Sequence, residues 1–355
     1  MIINGGTING GYVYDLNDLF IFSSFTFTSN IVGERGPTLG NLYNIYSNTG
    51  NTWITNTEYF TVPNAWRGYQ VWTVPRTGPY RITAAGSRSG CIATFAGNTR
   101  YGNAHGRGAV VQGVFNLTRG QKITLVVGQP SANTTQPSTY SSPGGGGGSF
   151  VVLGNIASDG PGNVIPLIIG GGGGAPGAWT SNTNILPGGY GVTTRRGGNS
   201  AGNLNATITT LRFGAPGGVN GLGGNTHVSV QGNVSLNTYD AGAGGGFTGN
   251  GVFFTGATWS SNTRITPGSN YGGGGNSFQN GAVGGVYSTG YAPPSTSWGG
   301  FGGGGGAGPI TGGGGGGYSG GGGAFSFGNP SIDSGGGGGS YIDSNATSVA
   351  TSDGL

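Results

Sequence analysis

The sequence predicts an all-β protein in which an antiparallel β-sandwich carries an inserted glycine-rich lattice of polyglycine II helices. Three observations predict this fold class. Apolar and polar residues alternate over short runs that are separated by Gly-containing turns, a pattern typical of antiparallel strands. Runs of pure glycine recur from residue 144 onward. No segment shows the long 3.6-residue period of an amphipathic helix.

The glycine runs have two interpretations. Glycine accounts for 87 of the 355 residues, with blocks at 144–148, 170–174, 244–246, 272–275, 302–306, 312–317, 320–323 and 335–339. Such blocks are either flexible linkers or ordered left-handed helices with about three residues per turn, whose backbone groups must find partners outside the helix. Because glycine has no Cβ, neighbouring helices can approach closely enough to pair backbone to backbone. Apolar segments at 148–153 and 164–169 join these runs directly, which favours the ordered lattice.

Composition excludes several classes of protein. Only 6% of residues are charged and 11% are aromatic, the opposite of a solvated, disordered chain. The net charge is +4, but the basic residues are scattered, so we expect no nucleic-acid partner. A single cysteine, Cys91, excludes an internal disulfide framework and cysteine-rich zinc sites. No apolar run reaches the length of a transmembrane helix, so we expect no membrane insertion.

The N-terminal elements are predicted as follows. Residues 1–23 form an assembly arm, because Asn-Gly-Gly turns and few apolar residues leave them unable to fold alone. Residues 20–22 and 25–28 alternate like strands. Between 36 and 43, Leu39, Leu42 and Tyr43 share one face of a short helix that Thr38 can cap.

The remaining chain divides into three parts. Residues 24–142 form the sandwich, residues 143–340 a glycine-rich region with interleaved strands, and residues 341–355 a C-terminal tail. Within the sandwich, strands are predicted at 69–75, 80–84, 109–117 and 122–128, with turns at 76–78 and 119–120.

Several motifs in colinear order resemble the glycine-rich ectodomain region of the anaplastic lymphoma kinase and leukocyte tyrosine kinase receptors. They are GERGPTL at 33–39, GYQVWTVPRTGPYRI at 68–82, GRGAVVQGVFNL at 106–117, LVVGQ at 125–129, GGGGGSFV at 144–151, PLIIGGGG at 166–173 and GGGGGGY at 312–318. The resemblance covers roughly residues 25–345. It implies a tumour-necrosis-factor-like (TNF-like) sandwich with a lattice of polyglycine helices inserted. The kinase, membrane span and cysteines of that family are not found in this sequence, so receptor function is not implied. The architecture also resembles glycine-rich domains in fibres and surface proteins of large viruses and phages.

A repeated motif supplies the candidate contact loops. WTSNTNILPG at 179–188 recurs as WSSNTRITPG at 259–268, and a weaker copy, WITNT, lies at 53–57. The loops either pack their Trp on the lattice, with Asn making an Asx turn, or present aromatic faces and amides to a sugar or a neighbouring subunit. The residues proposed for contact are Trp179, Asn182, Trp259, Asn262, Arg264 and Tyr271.

No catalytic constellation is predicted. His105 and His227 have no carboxylate or cysteine partner nearby in sequence, and the nine acidic residues are too dispersed to predict paired carboxylates. The glycine runs contain no Gly-Lys-Ser/Thr nucleotide loop. We therefore expect neither enzymatic activity nor a cofactor or metal site.

These observations favour a structural and recognition protein of a virion surface or fibre. It would self-assemble or bind neighbouring particle proteins, and would contact a host glycan or protein receptor. The alternative is a cellular extracellular protein that binds a protein ligand, as the receptor resemblance implies. An ice-binding protein is less favoured, because the regular flat array of Thr or Ala that such a protein needs is absent here.

Overall fold

The computed structural model of the chain describes residues 2–3, 8–9, 17–94, 104–135, 142–177, 186–202, 214–226, 240–254, 259–260, 272–286, 297–325 and 333–354. Strands predominate within these residues, and most of them pair antiparallel, which confirms the all-β class. The strands are β1 Ile2–Ile3, β2 Ile8–Asn9, β3 Ser24–Phe27, β4 Phe60–Thr61, β5 Tyr69–Thr73, β6 Gly78–Ala85, β7 Ile92–Thr94, β8 Val110–Leu117, β9 Lys122–Val126, β10 Thr134–Thr135, β11 Ser149–Leu153, β12 Ile165–Gly170, β13 Ala201–Gly202, β14 Phe253–Phe254, β15 Trp259–Ser260, β16 Asp333–Ser334, β17 Tyr341–Ile342 and β18 Thr347–Ser352. The α-helices are α1 Leu39–Tyr46 and α2 Ile156–Asp159.

Two six-stranded sheets form the frame of the molecule. The first has the order β18-β8-β6-β1-β3-β2, and the second has the order β17-β12-β11-β9-β5-β4. Every pairing in the second sheet is antiparallel, whereas β1 in the first sheet runs parallel to both β3 and β6. The longest ladder pairs β6 with β8 from Gly78↔Leu117 to Ala85↔Val110.

The sheets pack face to face around an aromatic and aliphatic core. Along β8, alternate residues turn inward, so that Val111, Phe115 and Leu117 are buried. Tyr80 and Ile82 join them from the first sheet, and the second sheet contributes Trp72, Ile123, Leu125, Val151 and Ile168. This sandwich-like arrangement follows from the period-two alternation in the sequence.

The second sheet is also buried on its other face. Side chains of Tyr69, Val126, Phe150 and Ile169 lie there against Phe247, Phe278 and Phe301 from the glycine-rich region. Burial on both faces explains why β11 carries the continuous apolar run Phe150 to Leu153 in the sequence, without the alternation of a half-exposed strand.

The predicted helix is confirmed as α1. The Thr38 hydroxyl accepts a hydrogen bond from the Asn41 backbone N–H, and the Asn41 side chain accepts one from the Thr38 N–H, which completes a capping box. Leu42 is fully buried, whereas Leu39 and Tyr43 pack half-buried against the same core.

The glycine-rich segments pair backbone to backbone. Gly316 N–H donates to Gly146 O at 2.9 Å, and Gly172 N–H donates to Gly316 O at 2.7 Å. Gly305 N–H likewise donates to Gly314 O at 2.7 Å. Most glycines of runs 144–148, 312–317 and 335–339 are buried, so these bonds provide partners for polar groups that water cannot reach.

Three sequence-based boundaries need correction. Residues 20–22 form a loop and not a strand. The apolar residues alternate there because Phe20 and Phe22 both pack on the sandwich core. Residues 341–355 are not a tail, because they supply β17 to the second sheet and β18 to the first. Part of segment 1–23 also belongs to the first sheet of this chain, through β1 and β2. Its role in assembly stays a prediction.

Candidate functional site

The predicted contact loops lie mostly outside the described residues. Trp179, Asn182, Asn262, Arg264 and Tyr271 all fall there. Trp259 lies in β15, where it pairs with Phe254 of β14. The role of these six residues in contact therefore stays a prediction.

The weaker copy of the motif, at 53–57, is described, and its Trp points inward. Trp53 lies in the 3-10 helix Thr52–Thr55 with 3% of its surface exposed. Its ring stacks on Phe20 with centroids 5.1 Å apart, and its Nε1–H donates to Asn51 Oδ1 at 3.2 Å. Asn56 Oδ1 accepts from Glu58 N–H at 2.9 Å, which is the Asx turn expected of this motif. In this copy, the packing interpretation holds.

A cleft of about 510 Å³ opens beside Trp53. Three separate stretches build it: the loop before β3, the 3-10 helix that carries Trp53, and the turn that leads into β4. It is lined by Leu19, Phe20, Ile21, Gly50, Asn51, Thr52, Trp53, Asn56 and Tyr59. We call this site the Trp53 cleft.

Two half-buried aromatic rings and a fixed amide define the geometry of the Trp53 cleft. The rings of Phe20 and Tyr59 lie with centroids 4.9 Å apart and planes inclined by 41°. Asn51 is held at both ends of its amide, since Nδ2 donates to Thr49 O at 3.2 Å while Oδ1 accepts from Trp53. The Tyr59 hydroxyl and Asn56 Nδ2 form no hydrogen bond within the described part of the chain.

The lining of the Trp53 cleft carries no side chain that can act as a general acid or base near neutral pH. None of its nine residues is Asp, Glu, His, Lys, Arg or Cys. Sequence reasoning missed this cleft because its walls lie up to 40 positions apart in the chain. The Asn- and Thr-rich stretch 48–57 around the weak Trp motif was the one signal that could have indicated it.

Outside the Trp53 cleft, Tyr69 and Lys122 form hydrogen bonds that connect separate segments of the fold. Burial raises the pKa of the hydroxyl of Tyr69, which donates to Phe278 O. Burial also lowers the pKa of Lys122, although Glu58 raises it to a smaller extent. Lys122 Nζ donates to Glu58 O and to Thr73 Oγ1, both at 2.6 Å, and so ties β9 to the segments beside it.

The described residues contain no cluster of three or more His, Cys, Asp or Glu side chains that could hold a metal ion. Cys91, the single cysteine of the sequence, is buried as a free thiol. None of the helices in the described ranges combines the length and apolarity that a membrane crossing requires. No protein-family model matches the chain.

Proposed function

We propose that this chain is a non-enzymatic structural and recognition protein of a virion surface or fibre. Its body would consist of a TNF-like β-sandwich with an inserted lattice of polyglycine II helices. The observation that carries the proposal is the close backbone pairing of the glycine runs. Glycine, which has no side chain, makes up almost a quarter of the chain. This composition suits a rigid structural protein better than an enzyme, which needs reactive side chains.

Steric contacts in the glycine runs support the lattice. A Cβ placed on Gly145 would come within 3.0 Å of Gly314 O, and one on Gly304 would come within 3.0 Å of Gly145 O. One on Gly314 would meet Gly321 O in the same way. Each run thus faces several other runs at distances that only glycine permits. A flexible linker has no such neighbours.

An aromatic series supports a stiff connection between the glycine runs and the sandwich. Phe278 lies 5.1 Å from Tyr69 and 5.1 Å from Phe247, and Phe247 lies 6.4 Å from Tyr318. Tyr318 stacks on Tyr341 of β17 at 4.7 Å. Because neighbouring rings add specific geometry to their buried area, this series fixes the glycine-rich region against the second sheet.

Immunogold labelling of particles from the source organism tests the proposal. An antibody raised against the purified chain should decorate the surface or the fibres of negatively stained particles. The same antibody pre-absorbed with the chain is the control. Label confined to the outer surface of cells, with particles unlabelled, would contradict the virion assignment and favour the cellular extracellular alternative.

A further inference from the structure

We propose that the Trp53 cleft binds a neutral saccharide of one or two pyranose rings. The proposal rests on the recognition function proposed above and gives it a ligand class. It also moves the binding site from the Trp179 and Trp259 loops to the third, weakest copy of the same motif.

The aromatic walls suit the apolar face of a sugar ring. A pyranose has C–H groups on its faces and hydroxyl groups around its rim, so it needs a ring surface beside polar groups. Phe20 and Tyr59 provide the surface, since both remain half-exposed and their rings meet at 41°. Trp53 supports Phe20 from below by stacking on it at 5.1 Å. Rings held in this way lose little freedom when a ligand packs on them.

The polar groups of the cleft suit the hydroxyl rim. Within the described residues, the Tyr59 hydroxyl, Thr52 Oγ1 and Asn56 Nδ2 form no hydrogen bond and are free to pair with a ligand. Hydroxyl groups both donate and accept, which matches the hydroxyls of a sugar. The Asn56 amide is already oriented, because its Oδ1 accepts from Glu58 N–H at 2.9 Å. A purely apolar ligand would leave these three groups unpaired.

Charge and size restrict the ligand further. A phosphorylated or sialylated ligand needs a cationic partner, and none of the nine lining residues is charged. The volume of about 510 Å³ falls in the range of small-molecule sites, about 300–1,000 Å³. A neutral mono- or disaccharide meets both conditions.

The test uses the full chain and two pairs of variants. Tyr59→Phe removes the hydroxyl and keeps the ring, while Asn56→Asp removes the Nδ2 donor and keeps the oxygen that accepts from Glu58. Tyr43→Phe and Asn116→Asp make the same chemical changes at half-buried and exposed positions outside the cleft. Binding is measured by saturation-transfer NMR with the methyl glycosides of glucose, galactose, mannose and N-acetylglucosamine. An array of neutral and sialylated oligosaccharides extends the panel.

We expect at least one neutral saccharide to bind, and each cleft variant to weaken its affinity about three- to tenfold, as the loss of one hydrogen bond predicts. The two control variants should bind like the parent chain. Binding that is equal in all five proteins would place the site elsewhere and overturn the proposal. No neutral saccharide binding, or binding to sialylated oligosaccharides alone, would also overturn it.

Attachment of the labelled chain to host cells separates this proposal from the broader function. If the chain attaches to cells but binds no saccharide, recognition stands and the Trp53 cleft is not its site. If the chain binds a saccharide through the cleft but immunogold places it away from particles, the cleft stands and the virion assignment fails.

Discussion

At the scale of single residues, the lack of a Cβ at buried glycines is what allows neighbouring glycine runs to pack closely. Gly304 and Gly314 are buried in the glycine runs, where an added Cβ would meet a carbonyl oxygen of a neighbouring run. Gly162 is also a glycine, but it is exposed, and a Cβ added there meets nothing within 4 Å. The same substitution therefore has different consequences at these positions.

We expect Gly304→Ala and Gly314→Ala each to lower the free energy of unfolding by about 1–3 kcal/mol, because an inserted methyl group overpacks the site. Gly162→Ala, the matched control, should change it by less than about 0.5 kcal/mol. Urea unfolding followed by circular dichroism measures all three. Equal stabilities in the three variants would mean that the runs are not closely packed.

At the scale of elements, the C-terminal segment links both sheets. Tyr341 and Ile342 in β17 pair with β12, and β18 pairs with β8 at the edge of the first sheet. Ile342 packs against the sandwich core, while Tyr341 packs against the cluster on the outer face of the second sheet. The segment 341–355, which the sequence predicts to be a tail, therefore supplies one edge strand to each of the two sheets.

A chain that ends before Tyr341 should lose about 3 kcal/mol or more of stability, since it loses two edge strands and their apolar contacts. A chain that ends after Ser352 is the control, because it removes only residues 353–355 and keeps both strands. Thermal unfolding compares the two truncations with the full chain. If the longer truncation melts at the same temperature as the control, β17 and β18 contribute little.

At the scale of the whole molecule, the N-terminal segment connects folding with assembly. β1 lies between β3 and β6 in the first sheet of its own chain. The same strand supplied by a neighbouring copy would complete the same sheet, which is how exchange of an element joins identical subunits. This geometry is compatible with the predicted assembly arm at 1–23.

Deleting residues 1–16 should shift an assembled chain toward the monomer and lower its stability, because β1 and β2 are lost from the first sheet, while the buried aromatic residues of the core remain in the chain. Deleting residues 1–23 should also destabilise the body by about 3 kcal/mol or more, because Phe20 and Phe22 pack on the core. Analytical ultracentrifugation at several protein concentrations measures assembly, and thermal unfolding measures stability. An unchanged oligomeric state after the shorter deletion would refute the assembly role.

Much of the frame was predictable because its signals are local. Period-two alternation located β6, β8 and β9, and the cap at Thr38 with apolar residues at helical spacing located α1. Both signals depend on neighbouring residues alone. The alternation at Phe20 and Phe22 was misleading, because a loop that packs two aromatic rings inward produces the same pattern as a strand.

The sequence by itself determined the all-β class, the main strands and the capped helix α1, since each follows from contacts within a few positions of the chain. Only the tertiary structure decided which glycine run faces which, that residues 341–352 return to both sheets, and that Phe20, Trp53 and Tyr59 enclose a cleft. The physical reason is that glycine has no side chain, so the residue type at a position carries no information about which run packs against it. Pairing between runs is therefore set by the geometry of the whole molecule and leaves no pattern in the sequence.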